Sequence, residues 1–181
     1  TMWNHILSTQ DPETGGYVYF TTLRPQSYRI YSQVNQAMWC CVGTGMENHV
    51  KYQAAAYAHT DDSLYVNLYM PTTLKWNEKN ITVKQKTEFP SEYSELTVSG
   101  SGTFTMKLRV PYWATDGFNV SVNGDVICTE PAVSSYVEIT RDWSEGDKVL
   151  IQMPYTVHLD KTPDKVDGSM TASLMYGPIV M

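Results

Sequence analysis

The sequence predicts a mainly β protein, an antiparallel sandwich or jelly roll preceded by a helical segment. Three observations predict it. From Leu64 onward apolar and polar residues alternate, with Leu64, Val66, Leu68 and Met70 set against Tyr65, Asn67 and Tyr69, the period of two that a half-buried strand needs. Turn signals then recur at short intervals, at Ser99-Gly100-Ser101-Gly102, Asn123-Gly124-Asp125 and Glu145-Gly146-Asp147. The best helical spacing lies before residue 63, over 45–58.

Taken in order, residues 1–10 read as the end of a helix, with Trp3, Ile6 and Leu7 on one side. Asp11-Pro12-Glu13-Thr14-Gly15-Gly16 breaks it. Residues 17–23 are β-like and close at Arg24-Pro25, and 28–33 form a second short extended piece. For the helix over 45–58, Thr44 is the expected N-cap and Glu47 stands three residues later, the capping-box pattern. Met46, Val50, Ala54 and Tyr57 recur along one face, and Glu47 with Lys51 forms an i,i+4 pair. Asp61-Asp62-Ser63 ends the segment. Strands are then expected at 64–70, 81–89, 95–99, 103–110, 118–122, 136–140, 148–153 and 155–160, with a strand-like segment at 172–181. Asn123-Gly124 between Val122 and Val126 is the strongest hairpin signal. Many short strands with regular turns point to a sandwich or jelly roll. A helical opening without a cap, and a strand-like last segment, give the expectation of a chain cut at both ends.

Composition narrows the function. A 42% hydrophobic, 12% aromatic chain of 181 residues has material for a real core. Thirteen Lys and Arg against 19 Asp and Glu give a net charge of -6, without a basic run, so nucleic acid is not an expected partner. No stretch is apolar for long enough to make a membrane-spanning helix. The 13 tyrosines suit strands as well as sugar-binding faces. Three cysteines do not make a disulfide scaffold.

Cys40 and Cys41 are the chemically distinctive pair. Adjacent cysteines bridge each other only with strain, and this pair stands at a helix start, where unpaired N–H groups favour a thiolate. A thiolate is both a nucleophile and a metal ligand, so one thiol suits attack and the other zinc. Zinc usually takes four ligands, and no Cys-x-x-Cys completes the set. The residues alone leave two readings open: an activated pair, or two small buried side chains.

The run Trp39-Cys40-Cys41-Val42-Gly43-Thr44-Gly45-Met46-Glu47-Asn48-His49 closely resembles the bacterial β-L-arabinofuranosidase family, glycoside hydrolase family 127. Lys51-Tyr52, Leu64-Tyr65-Val66-Asn67-Leu68-Tyr69-Met70-Pro71, Tyr19-Phe20-Thr21-Thr22-Leu23-Arg24-Pro25 and Leu174-Met175-Tyr176-Gly177-Pro178 extend the resemblance along the chain. It implies that residues 1–62 are the C-terminal end of an (α/α)6-barrel catalytic domain and 63–181 a β-sandwich domain. It also implies a retaining mechanism with Cys40 as nucleophile and Cys40 and Cys41 as zinc ligands. The implied partner is a glycan or oligosaccharide substrate of the parent enzyme.

The sequence departs from the family's pattern in one respect. The Glu-x-Cys zinc ligands and the acid/base glutamate of the family are not found in it. The expectation is therefore that zinc belongs to the full-length enzyme, that this chain alone holds none, and that alone it does not hydrolyse glycosides. The alternative reading is a non-catalytic carbohydrate-binding or structural β-sandwich module. The compartment, bacterial cytoplasm or periplasm, stays open. Self-association through the apolar face of Met46, Val50, Ala54 and Tyr57 is a further expectation. Trp76, Trp113 and Trp143 are expected in the core or rim, Cys128 as a core thiol, and His49 as a packing residue, while Arg24 and Tyr28 are candidates to reach a sugar.

Overall fold

The computed structural model describes residues 2–20, 28–166 and 168–181. The expected strand over 17–23 and the candidate Arg24 lie partly or wholly outside them. Contacts divide the chain into two compact units, Thr1–Ala54 with Val180 and Ala55–Ile179 with Met181.

The first unit opens with a wide helical turn, Met2–Ile6, running into a 3-10 turn, Leu7–Thr9. The expected break follows at Asp11, whose carboxylate accepts from the Glu13 amide (3.1 Å) and the Thr14 hydroxyl (2.5 Å). Tyr17 and Ser32 then tie two extended pieces together. The Ser32 amide donates to the Tyr17 carbonyl (2.8 Å), the Tyr17 amide donates to Ser32 Oγ (3.0 Å), and Val18 bridges Tyr31.

Helix α1 (Cys40–Ala56) begins five residues before the expected start. Thr44 is therefore inside the helix, and its hydroxyl donates back to the Cys40 carbonyl (3.3 Å) instead of capping an amide. Glu47 does not close a capping box; it is exposed and pairs with Lys51 at 3.7 Å, as its spacing suggests. The buried side of α1 is also not the expected one. Val42, Gly45 and Ala56 are buried and His49 and Tyr52 half-buried, spaced 3, 4, 3 and 4 apart, while Met46, Val50 and Ala54 are exposed. The reason is Tyr17, whose ring packs onto Gly45. A Cβ at that position would lie 2.7 Å from the Tyr17 Cδ1, so only glycine admits the contact.

After α1 come strands β1 (Tyr57–His59), β2 (Ser63–Val66), β3 (Thr72–Trp76), β4 (Ile81–Lys86), β5 (Tyr93–Ser99), β6 (Gly102–Val110), β7 (Asn119–Val122), β8 (Asp125–Thr129), β9 (Ser135–Trp143), β10 (Lys148–Gln152), β11 (Val157–Val166), β12 (Ser169–Tyr176) and β13 (Ile179–Val180). They form a four-stranded sheet β1-β2-β6-β9, a six-stranded sheet β3-β4-β5-β10-β7-β8 and a three-stranded sheet β11-β12-β13. The mainly β, antiparallel expectation holds, with one local exception: β2 runs parallel to β6.

The two larger sheets share one core. Phe104, Met106, Leu108 and Val110 of β6 point into it, as do Leu96 and Val98 of β5 and Val149 and Ile151 of β10. The intervening residues face out, which is the alternation that identified these strands. Trp76, Trp113 and Trp143 are buried as expected, with Phe104 stacked on Trp143 at 5.4 Å and Trp76 edge-on to Phe104 at 5.5 Å. Cys128, in β8, packs partly buried against the core. The Asn-Gly signal also holds: Val122 pairs with Asp125, and Asn123 (φ 55°) and Gly124 (φ 93°) make the two-residue hairpin turn.

Two further expectations fail around the start of the strands. Tyr57 does not end a helix; it starts β1, pairing with Val66. Its hydroxyl donates to Gln85 Oε1 (2.7 Å) and meets Thr72 Oγ1 (2.7 Å), while Gln85 Nε2 donates to Ser94 Oγ (3.0 Å). This polar network, buried at Gln85 and Ser94, outweighs the helix propensity of the preceding alanines. The strand expected at 64–70 stops at Val66, because the amides of Asn67 and Leu68 turn to the Ala56 carbonyl (2.9 and 3.3 Å).

Candidate active site

The cysteine pair lies in the first turn of α1, with Cys40 as its first residue and Cys41 as its second. Cys40 is exposed, Cys41 is half-buried, and both are free thiols. Cys40 Sγ is 4.0 Å from the Tyr19 hydroxyl, and the thiol donates to that oxygen. The hydrogen bond to Cys40, then the charges of Cys40 and Cys41, hold the Tyr19 hydroxyl above its ordinary pKa, so it stays protonated beside them. Burial pushes the Cys41 thiol up, and its hydrogen bond and charge interaction with Cys40 add to that. The two thiols thus differ: one is open to solvent with a hydroxyl oxygen beside it that accepts its hydrogen bond, and the other is held toward its neutral form.

Tyr19 also lines a hollow of about 610 Å³ with Phe20, Tyr28, Ile30 and Trp39. The Tyr19 ring meets Phe20 at 4.6 Å and 66° and Trp39 at 5.9 Å and 75°. Trp39 immediately precedes Cys40. Of the sugar-contact candidates named from sequence, Tyr28 is therefore placed in a concavity near the thiols, as one exposed wall. Tyr19 and Trp39 were not singled out, although a cluster of aromatics at 17–20 followed by Trp39 before the cysteines is the signal that marks them.

His49 follows the packing reading. Its Nε2 is 2.7 Å from the Tyr17 hydroxyl, and its ring lies 5.8 Å from Tyr52, edge to face. Glu47 is committed to Lys51 at the helix surface.

A zinc ion usually needs four donors. Among the described residues no three His, Cys, Asp or Glu side chains are grouped to hold a metal. Cys40 and Cys41 supply two thiols, so the described residues do not by themselves fit a closed zinc site.

Comparison with known proteins completes the description. Residues 63–155 match the family model described as the GH127 β-L-arabinofuranosidase middle domain, and residues 1–54 match the GH127 β-L-arabinofuranosidase catalytic domain. Among solved structures, a GH127 β-L-arabinofuranosidase from Geobacillus stearothermophilus T6 is 28% identical, with a TM-score of 0.70 over 83% of this chain and 25% of that one. A GH127 β-arabinofuranosidase is 27% identical, with a TM-score of 0.71 over 86% of this chain and 27% of that one. A structure described as a glycoside hydrolase, at 22% identity, shares the fold with a TM-score of 0.74 over 91% of this chain and 30% of that one. The chain thus spans between 25% and 30% of the length of these structures. No curated protein matches.

Proposed function

Since this chain belongs to the GH127 β-L-arabinofuranosidase family, we propose that it carries the nucleophile of a retaining arabinofuranoside hydrolase, with Cys40 as the attacking group. The observation that carries this reading is the pairing of an exposed Cys40 at the start of α1 with the Tyr19 hydroxyl 4.0 Å from its sulfur.

In the proposed reaction the Cys40 thiolate attacks the anomeric carbon of the sugar, and the bond from that carbon to the leaving-group oxygen breaks. That oxygen needs a proton from an acid, and residues 1–62 contain no match to the family's acid/base segment. A thioglycoside links sugar and enzyme. Water then breaks the carbon–sulfur bond, releases the sugar with retained configuration and restores the thiol, with the cysteine in the place of the usual carboxylate nucleophile. Once the Cys40 thiol has lost its proton, the hydrogen bond between the two reverses, and the Tyr19 hydroxyl, held protonated, donates to the sulfur.

Zinc is part of this proposal only for the full-length enzyme. There Cys40 and Cys41 would be two of its ligands, and donors outside the described residues would complete the set. Bound, it would supply a positive charge that holds thiols in their anionic form. We further propose the division that the family implies, with residues 1–62 belonging to the catalytic domain and 63–181 to the β-sandwich domain. The substrate class is an arabinofuranose-bearing glycan, acted on by the parent enzyme.

The test is Cys40→Ala in the full-length enzyme. Turnover of an aryl arabinofuranoside should fall by at least about 10³-fold, as expected for loss of a nucleophile, with an unchanged circular dichroism spectrum. Near-normal turnover overturns the assignment.

A further inference from the structure

We propose that Asn123 is a latent modification site: Asp147 and Lys148 hold its side-chain amide, and each opening of the β7–β8 turn releases it for deamidation through the Gly124 nitrogen. The inference concerns the sandwich and is independent of the chemistry at Cys40.

The Asn-Gly pair is the first support. Asn123 is the one asparagine of the sequence that a glycine follows. Glycine puts no side chain beside its amide nitrogen, which leaves that nitrogen open to the preceding Cγ. Both residues are exposed, and nothing lies within 4 Å of the place a Gly124 Cβ would take. Val122 and Asp125 make the pair that closes the turn, so the Gly124 amide stands outside the ladder. Once that amide has given its proton to hydroxide, its nitrogen attacks Asn123 Cγ, the bond from Cγ to the side-chain nitrogen breaks, and ammonia leaves. Water then opens the resulting cyclic imide at either carbonyl, giving aspartate or isoaspartate.

The clamp is the second support. Asn123 Nδ2 donates to Asp147 Oδ1 at 2.8 Å, and Asn123 Oδ1 accepts from the Lys148 amide at 2.8 Å. The Asn123 backbone amide donates to the Lys148 carbonyl at 2.9 Å. Asp147 is itself fixed: it is 8% exposed, and its other oxygen accepts from the Ser144 amide at 2.9 Å. Both polar ends of the Asn123 side chain are therefore tied across the turn, and rotation of Cγ toward the Gly124 nitrogen breaks both bonds. The product does not fit this clamp. Aspartate at 123 sets a carboxylate oxygen against Asp147 Oδ1 where a donor stood, and isoaspartate adds a methylene to the main chain of the turn.

The experiment incubates the 181-residue chain in mildly alkaline buffer, folded and in guanidinium chloride, and scores the peptide carrying Asn123 by mass spectrometry for acid and isoaspartate. Conversion should be at least about 10-fold slower in the folded chain, the factor expected from one charge-assisted hydrogen bond. Asp147→Ala, checked as folded by circular dichroism, should recover most of that factor. Asp147→Asn, which keeps an acceptor but loses the charge, should fall between, and it alone decides where Asp147→Ala does not fold. Asn80, in the separate turn before β4, should convert at the same rate in the variants as in the native chain. Asn123→Asp, the product made directly, should lower the thermal midpoint by about 2 °C or more. Equal rates in the folded and unfolded native chain, folded Asp147 variants no faster than native, a parallel rise at Asn80, or an unchanged midpoint for Asn123→Asp overturns the inference.

Discussion

The Tyr17 hydroxyl and His49 Nε2 lie 2.7 Å apart, and the same Tyr17 ring fills the space above Gly45. One tyrosine therefore selects the buried side of α1 and holds the helix that begins with Cys40. Tyr17 is 7% exposed and its backbone is tied to Ser32 at both its amide and its carbonyl, so it has little room to swing away.

This gives an unexpected sign for Gly45→Ala. Alanine in a helix gains about 1 kcal/mol over glycine from propensity alone. Here the added Cβ would lie 2.7 Å from two Tyr17 ring atoms, and overpacking of this kind costs about 1–3 kcal/mol. A net loss of stability is expected, read as a lower thermal midpoint together with a changed near-ultraviolet signal from Tyr17. A higher midpoint would show that the ring gives way.

The second prediction concerns acid. Hydrogen bonds from the Asn123 side chain (2.8 Å) and the Ser144 amide (2.9 Å) hold the Asp147 carboxyl below its ordinary value of 3.8, against the opposing effect of burial. Arg141, at 3.8 Å, acts in the same direction. A lowered folded value means that this stabilisation is complete above the unfolded-state value and is lost as pH falls through the folded one. Asp147→Asn should therefore be less stable than the native chain at neutral pH. The difference should shrink as pH drops from about 4 downward, in urea unfolding followed across that range. A difference independent of pH would remove Asp147 from the acid response.

A third prediction follows from the buried network at the start of β1. Tyr57→Phe takes away the hydroxyl that donates to Gln85 Oε1 and leaves that buried acceptor without this partner. The expected cost is about 1–3 kcal/mol. Because Gln85 also donates to Ser94, the effects of Tyr57→Phe and Ser94→Ala should not add, and a double-mutant cycle in urea measures the coupling. Strict additivity would mean that the three side chains do not act as a unit.

The fourth prediction is about metal. With two thiols and no third donor grouped with them among the described residues, the purified chain should retain zinc well below one equivalent after dialysis. Elemental analysis decides it, and stoichiometric zinc would sink the prediction. Blocking Cys40 and Cys41 by alkylation should remove whatever zinc the chain does carry.

The β-sandwich was legible in the sequence because its signals are local. Alternation along 103–110 reports a strand with one buried face, and Asn123-Gly124 reports a turn that needs two left-handed residues. The Cys40-Cys41 run was equally legible, as a family signature carried by consecutive residues. Three features were decided only by tertiary structure. Helix α1 buries Val42, Gly45 and Ala56 and leaves Met46 and Val50 exposed, since Tyr17, 28 residues from Gly45, sets the packing side. Tyr57 enters a strand despite its alanine-rich approach, since Thr72 and Gln85 hold its hydroxyl. The hollow beside Cys40 joins Tyr19, Phe20, Tyr28, Ile30 and Trp39, whose spacing carries no period. Periodicity and turn chemistry are properties of neighbours along the chain, whereas a buried face, a shared hydrogen bond and a concavity depend on which distant side chains arrive beside them.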